Sequence, residues 1–425
     1  MRILALTAGV LLAGTLVRPT VALAQAPPSL TLAQLITTAE QRNPAIVAAR
    51  QAVVAADARI ALARSGIGPS VTASGSAGTS GTSTATGTQG FTSSAAIGAT
   101  YVLYDSGQIA HAVRQAEANA RAARLSLEAT RQDVALSVAT NYVGVLRAER
   151  DVRVRDQVVV QNRELVRLAE GQFRAGVVPR ADVVRAQAGL AAADGELLAA
   201  RNAVDQTRAQ LNVAVGQAAA IPVAVAEAPP APRLTLAAGA LPTLVDERPE
   251  VRRAMADIEA AEAGLAAAQA SNGLRVTLDG RASQPITGSG GTTWSITSTL
   301  SLPVSDAGRN NAQVTEATAN LEAARARIET TRLTVQQQSL QALLNILNAR
   351  GRIESARAGL AFAQESFRLA QGRFAAGAGP FLEVIDAQTA LVQAEVTLAR
   401  AEFDELAAVL SLRHALGRSV IDGAI

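Results

Sequence analysis

Three carboxylates, Asp182, Glu383 and Asp386, lie within or just after two similar stretches of the chain, QFRAGVVPRADV and RFAAGAGPFLEV. Glu383 and Asp386 are three residues apart, so both side chains can face one side of a helix. Two kinds of chemistry are open to such acids. They can complement the positive N-terminal end of the helix that carries them, or they can attract cations to a constriction. The sequence therefore predicts an electrostatic role for these residues.

Residue types that support catalysis are scarce. The two histidines, His111 and His414, are 303 positions apart (414 − 111) on predicted helices, and the chain has no cysteine. The sequence has neither a phosphate-cradling glycine loop nor a spaced cluster of metal ligands. The YDSG motif, which begins at Tyr104, has a serine without a partner base and is read as a strand-to-helix junction. These features predict a protein that is not an enzyme, with no catalytic residue, metal or cofactor.

The basic residues do not indicate a nucleic-acid partner. All 39 basic residues are arginine, set against 36 acids, for a formal net charge of +3. The arginines alternate with acids along the chain and form no basic block, so nucleic-acid binding is not expected.

The two stretches belong to an internal repeat. Phe173 and Phe374 differ by 201 positions (374 − 173), whereas Val71 and Val276 differ by 205 (276 − 71). The change of four residues falls where a loop can vary in length. We therefore divide the chain into a first repeat at 25–217, a Pro-rich linker at 218–242 and a second repeat at 243–425.

The N-terminus has the layout of a cleavable secretory signal at residues 1–24. Arg2 precedes an apolar stretch, and small residues lead to Ala24. A membrane anchor is the alternative, but the apolar core is short for a span. Because no run of about 18 apolar residues follows, any membrane-spanning part is expected to be a β-barrel.

Alternating residues predict one hairpin in each repeat. The strands are expected at about 70–82 and 92–104, then at about 274–285 and 292–303. One face is apolar and the other polar or small, as in tilted membrane strands. Phe91 and Trp294 lie near one end of the strands and Tyr101 near the other, where membrane-interface aromatics belong. An ordinary hairpin on a soluble core stays open as the alternative, because alternation alone does not exclude it.

Each repeat continues with a predicted long helix and a returning helix. The long helices are expected at about 106–173 and 307–374, and the returning helices at about 179–215 and 380–416. Each long stretch lacks proline and would span roughly 100 Å as one helix. Small and apolar residues recur at alternating steps of four and three, which predicts a coiled-coil seam.

This order of elements, present twice, resembles the TolC-like outer-membrane efflux family. The resemblance is carried by LAQLITTAEQRNPAI, YDSGQ, GQFRAGVVPRADVVRAQ and GRFAAGAGPFLEVIDAQ and covers essentially the whole mature chain. It implies a mostly α fold with a small membrane β-barrel. Three copies would form a homotrimer with a 12-stranded barrel among outer-membrane lipid and a long α-helical coiled-coil tunnel across the periplasm.

The resemblance also implies the function. The protein would be the passive exit duct of a tripartite efflux pump or type I secretion system, joined to a periplasmic adaptor (membrane fusion) protein and an inner-membrane pump. The periplasmic entrance would hold Asp182, Glu383, Asp386 and Phe374. The adaptor would dock on the two turns, at Gly176, Val177, Val178, Pro179, Gly377, Ala378, Gly379 and Pro380.

One departure from the family concerns the closed entrance. Its usual latch uses a tyrosine and an arginine where this chain has Phe374 and Gly379, and Arg180 or Arg373 are candidate substitutes. A periplasmic coiled-coil adaptor or scaffold without a barrel is the alternative function. It would explain the long helices and the turns, but not the four alternating strands.

Overall fold

The computed structural model describes residues 29–81, 89–227, 245–287 and 290–419. The predicted signal at 1–24 and most of the predicted linker lie outside these ranges. The described chain is mostly helical, with one four-stranded sheet and one short pair of strands, so the predicted mostly α fold class is confirmed. None of its described helices combines the length and apolar character needed to span a membrane.

The first repeat runs from a short strand to a pair of long antiparallel helices. Its elements are β1 (Ser29–Leu30), α1 (Leu32–Arg42), α2 (Pro44–Ser65), β2 (Ser70–Gly81), β3 (Gln89–Tyr104), α3 (Gln108–Arg174) and α4 (Arg180–Val215), and β4 (Ala224–Val225) follows in the predicted linker. β4 pairs in parallel with β1.

From the counterpart of α2 onward, the second repeat has the same order of elements. Its elements are α5 (Pro249–Ala270), β5 (Arg275–Pro285), β6 (Thr293–Ser301), α6 (Arg309–Ala375) and α7 (Phe381–Ala415).

An aspartate begins each long helix. The Gly107 amide donates to Asp105 Oδ1 at 3.0 Å, and the Ile109 amide donates to Oδ2 at 2.6 Å. Asp306 accepts from the equivalent amides of α6 at 3.0 and 2.7 Å. The hydrogen bond from the Asn310 amide is the main cause that lowers the pKa of Asp306, because it stabilises the charged carboxylate. The same turn from sheet to helix is thus built twice.

The sheet joins the two repeats. Its order is β2-β3-β5-β6, so β3 and β5 are central neighbours and β2 and β6 are the edges. The duplication holds at the level of register. Val71 pairs with Ala99, and their equivalents Val276 (71 + 205) and Leu300 (99 + 201) also pair.

The two faces of the sheet differ in polarity. One face exposes large apolar side chains, among them Val71, Phe91, Ile97, Tyr101, Trp294, Ile296 and Leu300. The other face carries mainly Ser and Thr, as where the Ser76 and Ser94 hydroxyls are 2.9 Å apart. All three predicted membrane-interface aromatics therefore lie on the apolar face.

Helix packing is asymmetric between the repeats. Each long helix packs on its own returning helix, and α3 also packs on α5 and α7 of the second repeat. Within the described chain, α6 has no comparable contact with α2 or α4. One core cluster lies near β1 and β4, where the Tyr142 hydroxyl donates to the Ala226 carbonyl. Burial, followed by the nearby Glu149 carboxylate, raises the pKa of Tyr142.

Candidate functional site

The two helix-to-helix turns have one geometry. Gly176 and Gly377 take left-handed backbone conformations, with φ of +73° and +70°, which glycine adopts without steric cost. The amides of Val177 and Ala378 then donate back into the preceding helix at 2.9 and 2.8 Å. This hydrogen bond closes the end of each long helix, so the repeated sequence forms the same tip twice.

The two tips pack together within one chain. Their shared cluster contains Leu165, Ala169, Val183 and Ala186 from the first repeat and Phe374, Phe381 and Val384 from the second. Phe374 is only 1% exposed, and its ring centroid is 5.1 Å from that of Phe381, at 50° between planes. Gln172 Nε2 donates to the Phe374 carbonyl at 2.9 Å. Phe374 therefore anchors the contact between tips.

Two of the three predicted entrance carboxylates are paired with arginine. Glu383 Oε2 lies 3.0 Å from an Arg373 guanidinium nitrogen, and Asp182 Oδ1 lies 3.0 Å from that of Arg185. Asp386 is exposed and has no ion-pair partner in the described part of the chain. Asp386 is thus the predicted acid that keeps an uncompensated charge.

Gly379 makes room for the Arg373–Glu383 pair. A Cβ at this position would lie 3.1 Å from Arg373 Cβ and 3.6 Å from Glu383 Oε2. A larger residue would crowd both partners. Arg373 therefore links the two helices of its own tip, from the last turn of α6 to the first turn of α7.

The predicted docking residues surround this cluster. Gly176, Val177, Pro179, Gly377, Ala378 and Pro380 are exposed, whereas Val178 and Gly379 are half-buried. Val178 packs against the cluster that contains Phe374. The surface of each tip is therefore backbone and small apolar side chains over an apolar interior.

The sheet has charged residues that the sequence analysis did not single out. Arg275, Asp279 and Arg281 lie on β5, at alternate positions of the polar face. The sequence could have revealed these three residues, because they are the only charged residues in the four strands.

Metal-binding groups do not cluster in the described chain, where no set of three or more His, Cys, Asp or Glu side chains could hold an ion. His111 is near the start of α3, and His414 is near the end of α7, where its Nε2 lies 2.9 Å from Asp133 Oδ1. The two histidines therefore belong to separate places.

A duplicated sheet with one apolar face, continued by two long helical hairpins, defines the class of outer-membrane channel proteins with helical tunnels. The family model for outer membrane efflux proteins matches residues 35–217 and 240–418. The chain belongs to this family, as its motifs predicted. Family members are outer-membrane efflux channels that act in pumps with adaptor and inner-membrane partners.

Solved structures share this fold. CusC superposes with a TM-score of 0.83 at 20% identity, over 91% of this chain and 92% of that one. VceC from Vibrio cholerae gives 0.78 at 22% identity, over 92% and 96% of the two chains. The open state of MtrE from Neisseria gonorrhoeae gives 0.78 at 20% identity, over 92% and 89%. No curated protein matches the sequence significantly.

Proposed function

We propose that three copies of this chain form the passive exit duct of a tripartite efflux pump or type I secretion system. The chain reaches the outer membrane after cleavage of a signal at residues 1–24, and its helices extend into the periplasm. The observation that carries this proposal is the sheet, which has an apolar face and two unpaired edges, β2 and β6. In lipid an unpaired edge is costly, so the edges must meet those of other copies.

The duplication predicts how the edges meet. Within the chain Ala99 of β3 lies opposite Gly280 of β5. The equivalent of Ala99 in β6 is Leu300 (99 + 201), and that of Gly280 in β2 is Gly75 (280 − 205). We therefore expect Leu300 of one copy to lie opposite Gly75 of the next. This register keeps both apolar faces on one side.

The helices support the same arrangement, in which the second repeat of one copy contacts the first repeat of the next. Three exposed leucines on α6 are Leu340, Leu344 and Leu347. Their equivalents in α3, 201 positions earlier, are the buried residues Ala139, Val143 and Leu146, and Ala139 and Val143 pack with Leu410 of α7. The exposed face of α6 is thus expected to pack on α4 of the next copy. Exposed apolar side chains such as Leu198 are available on that helix.

Three copies give enough strands for an open lumen, because eight only just leave room for side chains. The duct itself has no catalytic role, and the energy comes from the partner pump. The adaptor docks on the exposed tips. Asp386 is the acid best placed to form a cation-attracting ring at the entrance, since Asp182 and Glu383 are each paired with an arginine.

Cysteine cross-linking tests this assembly without background, because the chain has no cysteine. The predicted register puts Ser76 of one copy opposite Thr299 of the next (76 + 299 = 75 + 300). Within one chain these residues lie on opposite edges, three strand spacings or about 14 Å apart, which is too far for a disulfide.

Oxidation of the S76C/T299C variant in outer-membrane fractions should give covalent dimers and trimers. The matched control, A77C/T299C, places the two thiols on opposite faces and should stay monomeric. Monomers only from S76C/T299C, or a protein released in the soluble periplasmic fraction, would overturn the proposal and favour the scaffold alternative. Equal cross-linking of both pairs would reject the register.

A further inference from the structure

Strand β5 carries all the charge of the four-stranded sheet. Arg275, Asp279 and Arg281 are its charged residues, and β2, β3 and β6 contain none. All three have odd numbers, so alternation places them on one face. The Thr100 hydroxyl, which belongs to the polar face, donates to Asp279 Oδ1 at 2.8 Å. The charges therefore lie on the Ser/Thr face and not on the apolar one.

Asp279 does not neutralise the arginines. Its Oδ1 accepts from Thr100 and its Oδ2 accepts from the Thr277 hydroxyl, at 2.8 and 3.0 Å. No ion pair joins it to Arg275 or Arg281 in the described chain. Two guanidinium groups and one carboxylate leave the polar face with a net charge of +1 per chain (2 − 1).

Arg281 has open space around it. In the register its neighbours are Gly98 of β3 and Ser295 of β6. Glycine has no side chain and serine has a short one, so the guanidinium can extend away from the sheet, and Arg281 is exposed. Arg275, also exposed, lies opposite Ser301. A guanidinium stays charged at any working pH and presents donors in a fork that suits carboxylates and phosphates.

We propose that this face is an anion-selecting section of the duct, whose ligands are solutes bearing carboxylate or phosphate groups. The proposal rests on the proposed function, in which the polar face lines the lumen. Three copies would then set a ring of Arg281 side chains in the barrel and a second ring of Arg275 nearer the helices. Six residues separate the two rings along β5, or roughly 20 Å.

The tips lie apart from this section of the duct. Glu383 and Asp182 are already paired with Arg373 and Arg185. The acid at the entrance without such a partner, Asp386, lies at the far end of the long helices from the sheet.

The size of the effect follows from Coulomb's law. Three unit charges about 10 Å from the axis, in water at low ionic strength, should enrich monovalent anions over neutral solutes by roughly three- to fivefold. At physiological salt the same ring should give less than about twofold, because the screening length falls to about 8 Å. Multivalent anions should respond more strongly.

The test is ion selectivity in planar lipid bilayers under a KCl gradient. Relative to wild type, R281Q and R275Q/R281Q should move the reversal potential toward cation preference. D279N should move it toward anion preference, and R281K should leave it unchanged. Inorganic tripolyphosphate added from the barrel side should block the wild-type current, and R275Q/R281Q should weaken that block several-fold.

The variants share one entrance, so its contribution is constant across the series. Conducting channels whose reversal potential is the same in R275Q/R281Q, D279N and wild type would overturn the anion-selecting section while leaving the duct intact. Loss of S76C/T299C cross-links would instead overturn the proposed function, and this inference with it. If R281Q fails to assemble, the opposite-sign change in D279N still decides the result.

Discussion

Replacement of Phe374 by alanine should loosen the contact between the two tips. The side chain is 1% exposed, stacks near Phe381 and packs on residues of both repeats. Truncation of a fully buried phenylalanine costs about 3–5 kcal/mol, since transfer free energy is lost and a cavity remains. At about 1.4 kcal/mol per tenfold change, local opening of the tips should rise by roughly 100- to 4,000-fold.

Hydrogen exchange followed by mass spectrometry measures this opening directly. In F374A, amides near the ends of α3 and α6 and the starts of α4 and α7 should exchange faster. The increase is limited by the opening free energy that these helix ends have in the wild type. Amides of the sheet and of the core around Tyr142 should keep their wild-type rates, because they share no contact with the tip cluster.

Phe362→Ala is the matched control. Phe362 lies on the same helix but outside the tip cluster, so its truncation should change exchange at the tips by less than threefold, or under about 0.7 kcal/mol. Equal effects of F362A and F374A, or no change in F374A, would show that Phe374 does not anchor the tips.

Three further predictions concern the helical frame, each measured as the unfolding midpoint by circular dichroism in detergent. Gly216→Ala would place a Cβ 2.7 Å from Asn43 Cα, in backbone that cannot yield easily, and should destabilise by more than about 2 kcal/mol. Gly417→Ala, its repeat equivalent, meets the Arg248 side chain at 3.3 Å and backbone no nearer than 3.8 Å, so it should cost less than Gly216→Ala; equal costs would contradict this expectation. Arg248→Met should lower the free energy of unfolding by roughly 3 kcal/mol, because Arg248 is 2% exposed and both the Glu250 carboxylate and the His414 carbonyl would lose their hydrogen-bond donor. Unchanged stability would contradict this expectation. Burial raises the pKa of Glu395. The contribution of Glu395 to the free energy of unfolding is therefore fully present below the pKa it has in the unfolded chain, and it is lost as pH rises through the folded-state pKa. E395Q should therefore gain stability relative to wild type as pH rises through that window, and a constant difference would contradict it.

Much of the secondary structure could be predicted from local sequence patterns. Alternation over Val71 to Ala77 has a period of two, which suits a strand, and the long proline-free stretches suit helices. The same Asp-Ser/Ala-Gly turn precedes both long helices, so it could be recognised from its repetition. These signals are local, and the mostly α fold class followed from them.

Contacts between the repeats could not be read from local sequence. Phe173 and Phe374 occupy equivalent positions of the repeat, yet Phe173 is 44% exposed and Phe374 is 1% exposed. Their burial depends on which other helices pack on each tip. The strand order β2-β3-β5-β6 also depends on contacts between the repeats, because the repeat alone does not determine which strands of the two hairpins become neighbours.

The candidate entrance shows the same limit. Spacing placed Glu383 and Asp386 on one side of α7 but could not show that Arg373 crosses the turn to pair with Glu383. That pairing depends on the tight tip and on the absence of a side chain at Gly379. The sequence identified the acids, and the structure separated the paired ones from Asp386.

We propose that the assembled chain conducts ions through a lipid membrane. The most direct test is the electrical conductance of planar bilayers after addition of the detergent-purified oligomer. Discrete stepwise increases in current are expected, produced by the trimer and absent for monomers. A protein that stays monomeric in the soluble periplasmic fraction and gives no conductance steps would contradict it.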